Sequence, residues 1–310
     1  MATKKAASTK KATVKKPAAA TTTVRTVRAD DKPTIPTKVA AVQTPRSPKG
    51  QLPNNIINIV LAELFGTFIL ALVALATFTD AGSLYVGIAL SVLVMTVGAV
   101  SGAHVNPAVT FGLWTMRKLK TVLVPFYWGA QFLGAMLAVI VMNWVSNSSI
   151  SLSFGDFVNL NWGVFGAELI ATAVFLFGLT AVISNRDLAI GARAAGIGAS
   201  LAIGLVVGGT LLTALKAQDV ATYQKQYQET QAEENASTPE IPHSAFVKGI
   251  TANPAVALAV TDNAANKLDP SVDDSRTNSR LTLEVILGTL IGAAVGGNLY
   301  LLVAGRRREQ

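Results

Sequence analysis

Long apolar stretches separated by short polar segments make up most of the chain after residue 53. A helix of about 20 residues crosses a hydrocarbon core of roughly 30 Å, and six of these stretches are long enough to do so. The pattern therefore predicts an all-α membrane protein with six transmembrane helices. The predicted spans are residues 56–78, 83–100, 121–145, 162–184, 194–215 and 281–303.

Two further apolar stretches are too short to cross the membrane. The first, residues 106–116, follows the second span and ends before a basic loop. About ten helical residues rise about 15 Å, half of the hydrocarbon thickness. Asn106 suits the N-cap of such a half-helix, and Pro107 suits its first turn, where the missing N–H costs no hydrogen bond. Because Asn253 and Pro254 repeat this arrangement before a second short apolar stretch, we expect two re-entrant half-helices.

The two halves of the apolar region resemble each other. "AELFGTFILA" begins at Ala62 and "AELIATAVFL" at Ala167, and each half later contains Asn-Pro-Ala. Three spans per half make the halves enter the membrane from opposite sides, which predicts an inverted 3+3 repeat. Both half-helix N-termini, each carrying about half a positive charge, then meet near the bilayer midplane. Irregular backbone at that depth requires surrounding protein or a wet cavity, so we expect a pore there.

The composition favours a membrane protein over an enzyme. Hydrophobic residues make up 51% of the chain, charged residues 14%, and the mean hydropathy is +0.44, which is too apolar for one soluble core and its solvated surface. The chain has no Cys and two His, so the sequence offers no disulfides and no plausible metal or cofactor site. It also shows no acid and base pair, nucleophile elbow or phosphate loop, and we expect no catalytic residues.

The positive charge is concentrated at the N-terminus. Residues 1–53 carry nine Lys and three Arg against two Asp, more than the whole chain's net charge of +8. This segment has no aromatic residue and predicts a disordered basic tail. If the spans alternate, the basic short loops and the basic C-terminus 306–310 lie on the tail's side, which predicts a multi-pass protein of the cell membrane with both termini cytoplasmic. The tail is interpreted as a solvated arm, or alternatively as a segment that contacts anionic lipid or nucleic acid.

These motifs together resemble the aquaporin and aquaglyceroporin family (major intrinsic proteins). The resemblance rests on "SGAHVNPAVT", the second Asn-Pro-Ala copy, "YWGAQFLGA" in the third span, and the paired Glu63 and Glu168. It covers a predicted channel domain at 54–305, with halves at 54–146 and 160–305. It implies a homotetramer in membrane lipid that passes water, small neutral solutes such as glycerol-like polyols, or both, without a cofactor.

The resemblance also implies the roles of individual residues. The two Asn side chains would donate hydrogen bonds to a permeating oxygen, and the half-helix dipoles would exclude protons and ions. A carboxylate at bilayer depth costs at least about 2.5 kcal/mol when unpaired, and the family braces its re-entrant loops with such a pair. The implied pore residues are Asn106, Pro107, Ala108, Asn253, Pro254 and Ala255, and the implied loop-bracing residues are Glu63, Glu168, His104 and Gln131.

The outer selectivity filter departs from the family. An Arg usually follows the second Asn-Pro-Ala there, but this chain has Val256. Carrying the other filter positions across by spacing gives Val86, Ile250 and Leu211. A constriction of four aliphatic residues offers water no replacement for its lost hydrogen bonds, which argues against a filter specialised for water alone.

The segment 216–248 is an insert before the second Asn-Pro-Ala, predicted to be extracellular. Its Ala, Gln, Glu and Lys content predicts a surface helix up to about residue 236, where "STPEIP" breaks it. It is interpreted as an inert elaboration or as a cap over the pore mouth. Gly288, Gly292 and Gly296 in the last span form a small-residue stripe that predicts a close helix crossing.

Two functions other than a passive channel stay open from the sequence. A secondary transporter of a small solute could be built on the same inverted repeat and would use one of the two buried glutamates to carry a proton. Alternatively, the basic tail could be the functional element, a polyanion-binding arm on a membrane anchor.

Overall fold

A computed structural model describes residues 52–77, 82–146, 153–231, 239–264 and 277–305. The basic C-terminus and the tail, apart from Leu52 and Pro53, lie outside the described residues, so the predictions about their structure and contacts are not addressed by it.

The described residues form the expected all-α architecture. Six helices are long and apolar enough to cross a membrane, and two short helices, α3 and α8, begin with proline inside the bundle. A 3-10 turn at Thr121–Leu123 precedes α4. The helices are α1 (Ile56–Ala76), α2 (Gly82–Ser101), α3 (Pro107–Thr115), α4 (Val124–Ser146), α5 (Trp162–Ser184), α6 (Ile190–Gln231), α7 (His243–Phe246), α8 (Pro254–Ala259) and α9 (Leu283–Val303).

The fifth span differs from its predicted bounds. Helix α6 has 42 residues and continues without a break from the membrane-spanning part through the first half of the insert. The predicted fifth span and the predicted surface helix of the insert are therefore one helix. The physical reason is local, since residues 216–231 are good helix formers with no Gly or Pro among them.

The helices alternate between two ends of the bundle. We call the end where α1 begins the tail end, and the end that carries residues 216–231 and 239–248 the insert end. Helix α3 starts in the middle and runs to the tail end, whereas α8 starts in the middle and runs to the insert end. This opposite direction of the two half-helices is the inverted 3+3 repeat that the sequence predicts.

Glycine stripes let the long helices cross closely. Gly288, Gly292 and Gly296 of α9 face the backbone of α5, as the stripe predicts. Gly134 of α4 makes the matching contact with α1, where a Cβ would meet the Leu64 carbonyl oxygen. Close crossing through small residues is the ordinary means of helix association in lipid, and here it is used in both halves.

Large apolar side chains cover the outer surface of the bundle. Examples are Ile57 on α1, Leu84 on α2, Ile140 on α4 and Val303 on α9, all of them exposed. A contiguous apolar surface of this kind is unsuited to water and suited to lipid or to a neighbouring subunit. The polar side chains that the site uses are buried inside.

Candidate functional site

Each half-helix is capped by the side chain of its asparagine. Asn106 Oδ1 accepts a hydrogen bond from Ala108 N at 2.8 Å. Asn253 Oδ1 accepts one from Ala255 N at 3.0 Å and a longer one from Val256 N at 3.3 Å. A proline follows each asparagine, so the first helical residue has no N–H that needs a partner.

The two asparagines also link the two halves to each other. Asn106 Nδ2 donates to the Ala252 carbonyl oxygen at 2.8 Å, and Asn253 Nδ2 donates to the Val105 carbonyl oxygen at 3.0 Å. An amide nitrogen carries two hydrogens, and each of these bonds uses one of them. Each amide therefore keeps a second N–H that can donate a hydrogen bond to a solute oxygen.

The residues before the asparagines have unusual backbone angles. Val105 has φ 43° and Ala252 has φ 48°, both in the left-handed region. For a β-branched or alanine residue this conformation costs about 1–3 kcal/mol and needs support from its surroundings. The same strained position recurs in both halves and aims each carbonyl oxygen at the opposite asparagine.

Both carboxylate oxygens of Glu63 accept hydrogen bonds at the first loop, the segment between α2 and α3. Oε1 accepts from Ser101 Oγ at 2.6 Å and from His104 N at 2.9 Å. Oε2 accepts from Val105 N and from Gln131 Nε2, both at 2.7 Å. A buried carboxylate with four donors is well satisfied, and it holds the strained Val105 in place.

His104 and Gln131 meet at Thr110 on the first half-helix. His104 Nδ1 lies 3.1 Å from Thr110 Oγ1, and Gln131 Nε2 donates to the same oxygen at 3.0 Å. The His104 ring also packs on Tyr127, with ring centroids 4.5 Å apart. His104, in the loop itself, and Gln131, on α4, thus contact the same residue of the first half-helix.

Glu168 supports the second loop in a similar way. Oε1 accepts from Thr251 N at 3.0 Å and from Thr251 Oγ1 at 3.2 Å, while Oε2 accepts from Ala252 N at 2.9 Å. Its fourth neighbour is not an amide but a guanidinium, Arg280 Nη2 at 3.8 Å.

A cavity of about 680 Å³ opens from the insert end and reaches Asn253. Three of the four predicted filter residues, Val86, Ile250 and Val256, line it. Lys216 and Lys248 also line it, together with several threonines. The other apolar lining residues include Leu70, Leu201, Leu205 and Leu212.

The structure does not bring Leu211 to the cavity that the other three predicted filter residues line. Leu211 is 39% exposed and does not line the cavity, whereas its neighbour Leu212 does. Adjacent residues on a helix point about 100° apart, so a shift of one position moves a side chain from the cavity to the outer surface. The spacing argument was weakest at this position because the insert follows it.

A buried charge cluster that the sequence does not predict lies between the second loop and α9. Its centre is Arg280, which is fully buried and donates through Nη1 to Glu284 Oε1 at 2.7 Å. Its Nε lies 3.7 Å from Asp262 Oδ1. The only sequence signal is an Arg four residues before a Glu at the start of an apolar span, and nothing in that pattern points to Glu168.

The cluster also attaches the insert to the bundle. His243 Nε2 lies 3.0 Å from Glu284 Oε1. Within the insert, Ser244 Oγ donates to Asp219 Oδ2 at 2.5 Å and so ties the short helix α7 to α6. The hydrogen bond to Glu284 raises the pKa of His243, against the opposing effect of burial. Because the protonated form is favoured in the folded state, this attachment is strongest at low pH and weakens as pH rises through the raised pKa.

No group of three or more acidic or histidine side chains within the described ranges could hold a metal ion.

Comparisons with known proteins identify the family. The sequence pattern of the family described as Major intrinsic protein matches residues 56–218, which is more than half of the chain. Aquaporin NIP2-1 of Oryza sativa subsp. japonica is 31% identical over 166 residues, 50% of this chain and 54% of that protein. Aquaporin-1 of Homo sapiens is 34% identical over 128 residues, 39% of this chain and 47% of that protein.

The chain thus spans about half the length of the curated relatives that it matches. Among solved structures, the X-ray structure of the aquaglyceroporin from Plasmodium falciparum is similar over 81% of this chain and 96% of that one, with a TM-score of 0.49 and 19% sequence identity.

Proposed function

Because the chain belongs to the major intrinsic protein family, whose members are channels and not enzymes, we propose that it is a passive membrane channel for water, small neutral solutes such as glycerol, or both. The observation that carries this proposal is the reciprocal link between the two half-helices at the base of the cavity. It brings two amide donors and two positive helix ends to one depth. That combination suits an uncharged solute with oxygen acceptors.

In the proposed mechanism, the side-chain amides of Asn106 and Asn253 act as hydrogen-bond donors to the solute. A solute oxygen at the base of the cavity accepts the second hydrogen of Asn253 Nδ2 and then that of Asn106 Nδ2. The positive half-helix ends favour the oxygen of a neutral molecule and oppose a cation or a hydronium ion. A water held by both amides cannot at that moment accept a proton, so proton transfer along the water file is interrupted.

The glutamates support a channel over a secondary transporter. A coupling carboxylate has to bind and release a proton during transport, and for that it needs an accessible oxygen. Both oxygens of Glu63 and both oxygens of Glu168 accept hydrogen bonds that hold the loops. Both residues are also fully buried. This geometry supports a bracing role for both glutamates.

The composition of the cavity wall favours solutes with an apolar side. Val86, Ile250 and Val256 present no hydrogen-bond donor, and the Ala252 carbonyl oxygen already accepts from Asn106. A polyol can place its C–H groups on such walls and its hydroxyls on the threonines, whereas water loses hydrogen bonds there. We therefore infer that glycerol-like solutes pass at least as readily as water.

The topology and assembly are part of the same proposal. The insert end faces the outside of the cell, and both termini face the cytoplasm, because the basic loops belong to the tail end. The assembly is a homotetramer, as the family resemblance implies, and the exposed apolar faces of the bundle are the surfaces that lipid or neighbouring subunits would cover. The insert is an elaboration of the mouth, and its two ends, at Lys216 and Lys248, line the cavity.

The test is stopped-flow light scattering of proteoliposomes that contain the purified protein. We expect shrinkage in impermeant osmolyte and re-swelling with glycerol to be faster than in empty liposomes, linear in concentration, and independent of any ion gradient. Saturating flux that responds to a proton gradient would favour a transporter. Flux equal to that of empty liposomes would reject the channel.

Replacing Val256 by Arg should make the channel more selective for water over glycerol. Val256 lies on the cavity wall beside the second asparagine, and a cavity of about 680 Å³ has room for the longer side chain. The guanidinium would add donors for water and a fixed positive charge. We expect glycerol flux to fall at least about tenfold, with a smaller change for water.

The matched variant is Val256→Met, which adds bulk without charge. If bulk alone narrows the mouth, both variants should lose glycerol flux and shift the water-to-glycerol flux ratio alike. A larger shift in the arginine variant would show the contribution of the guanidinium. Unchanged water and glycerol fluxes in Val256→Arg would contradict a constriction at this position.

A further inference from the structure

Glu63 and Glu168, one in each half of the repeat, have different partners for their carboxylates. Opposite Glu63, α4 provides the amide of Gln131 at 2.7 Å. Opposite Glu168, the corresponding helix α9 has Gly288, whose Cβ position would lie 3.0 Å from Glu168 Cβ. A side-chain amide is therefore missing on that side, and the guanidinium of Arg280 lies near the carboxylate instead.

Arg280 faces three carboxylates and is not on the cavity wall. Its Nη1 donates to Glu284 Oε1 at 2.7 Å and to Thr282 Oγ1 at 3.4 Å. Among the described residues, its Nε and Nη2 have no hydrogen-bond partner, although they lie 3.7 Å from Asp262 and 3.8 Å from Glu168. The side chain thus acts on Glu168 and Asp262 mainly through its charge, which is effective at these distances where water is excluded.

A short chain of contacts runs from this charge to the pore. Glu168 Oε2 accepts from Ala252 N, and the Ala252 carbonyl oxygen accepts from Asn106 Nδ2. Glu168 Oε1 accepts from Thr251, which lines the cavity. The negative charge of Glu168 therefore lies one residue behind the cavity wall, whose residues beside the second asparagine, Ile250 and Val256, carry no charge.

We propose that Arg280 is the counter-charge of Glu168: it positions the second re-entrant loop and prevents the carboxylate from making the cavity attractive to cations. This inference rests on the proposed channel function. It assigns to a residue behind the wall the compensation of a charge that the aliphatic wall residues Ile250 and Val256 cannot supply. Arg280 is a positioning residue, since it acts through Glu168 and touches no solute.

The experiment compares R280Q and R280K with the wild-type protein, and R193Q serves as the matched control. Arg193 lies at the tail end of α6, where it donates to the Leu188 carbonyl oxygen, far along the chain from the cluster. Glycerol flux and K⁺ leak are measured in proteoliposomes and divided by the amount of folded channel. A purely structural role would lower that amount without changing K⁺ leak per channel.

For R280Q we expect glycerol flux to fall at least about fivefold and K⁺ leak to rise above that of the wild type. R280K retains the charge and should stay close to the wild type in both measurements, as should R193Q. R280Q channels that conduct glycerol and exclude K⁺ as the wild type does would overturn the proposal. If R280Q does not fold, R280K decides: a folded, K⁺-tight R280K supports the charge role, and an R280K that also fails overturns it.

Failure of the channel function itself would be visible separately. Glycerol and water flux in liposomes that contain the wild-type protein would then equal the flux in empty liposomes, and the proposed function would be rejected. The pairing would still be tested by thermal unfolding in detergent, where the losses in Tm from R280Q and E168Q should be less than additive in the double variant. Additive losses would show that the two side chains do not act together.

Discussion

A Glu63→Gln channel should lose nearly all of its solute flux. Glu63 accepts four hydrogen bonds, two from backbone N–H groups, one from Ser101 Oγ and one from Gln131 Nε2. Glutamine has one acceptor oxygen, and its NH₂ group would face donors on the other side. Each buried donor left without an acceptor costs roughly 1–3 kcal/mol, and the strained Val105 would lose its support.

We expect little folded protein, and at least about tenfold lower water and glycerol flux per folded channel. The measurements are the yield of monodisperse protein in detergent and stopped-flow flux in proteoliposomes. Glu229→Gln is the matched control, because Glu229 lies on the exposed end of α6, where it pairs with Lys225 at 3.9 Å, and contacts neither re-entrant loop among the described residues. Normal flux in Glu63→Gln would show that the carboxylate does not brace the loop.

The membrane architecture was predictable from the sequence because its causes are local. Each span needs about 20 apolar residues whatever the rest of the chain does. The half-helices follow from short apolar stretches opened by Asn and Pro, whose preferences for the N-cap and the first turn are properties of the residues themselves. Glu63 and Glu168 stood out because a carboxylate inside an apolar span needs a partner.

The residues that the sequence did not reveal depend on contacts between distant segments. Leu211 was placed in the cavity by spacing, but the rotation of α6 about its axis decides whether Leu211 or Leu212 faces inward. Arg280 belongs to a polar segment, and its burial beside Glu168 arises only when α9 packs on α5. The glycine opposite Glu168, where a Cβ would lie 3.0 Å from Glu168 Cβ, reads in the sequence as packing alone.

Gly296→Ala should strongly destabilise the protein, because Gly296 lies where α9 crosses α5 closely. A methyl group at this position would meet the carbonyl oxygen of Ala173, and it would lie 2.7 Å from the Ala173 carbonyl carbon and Cα. A backbone cannot rotate away as a side chain can, so the two helices must move apart, and overpacking of this kind typically costs about 1–3 kcal/mol.

We therefore expect Gly296→Ala to lower Tm by at least about 5 °C. Flux should fall as well, because α9 also packs on the first half-helix, where the Cβ position of Gly112 lies 3.2 Å from the Ala293 carbonyl oxygen. Gly166→Ala is the matched control on α5, since a methyl group there would meet nothing within 4 Å and alanine favours a helix by about 1 kcal/mol. Equal Tm values for the two alanine variants would contradict a close α5–α9 crossing. If both Tm and flux fall in Gly296→Ala and neither falls in Gly166→Ala, this crossing sets how far α9 lies from the first half-helix.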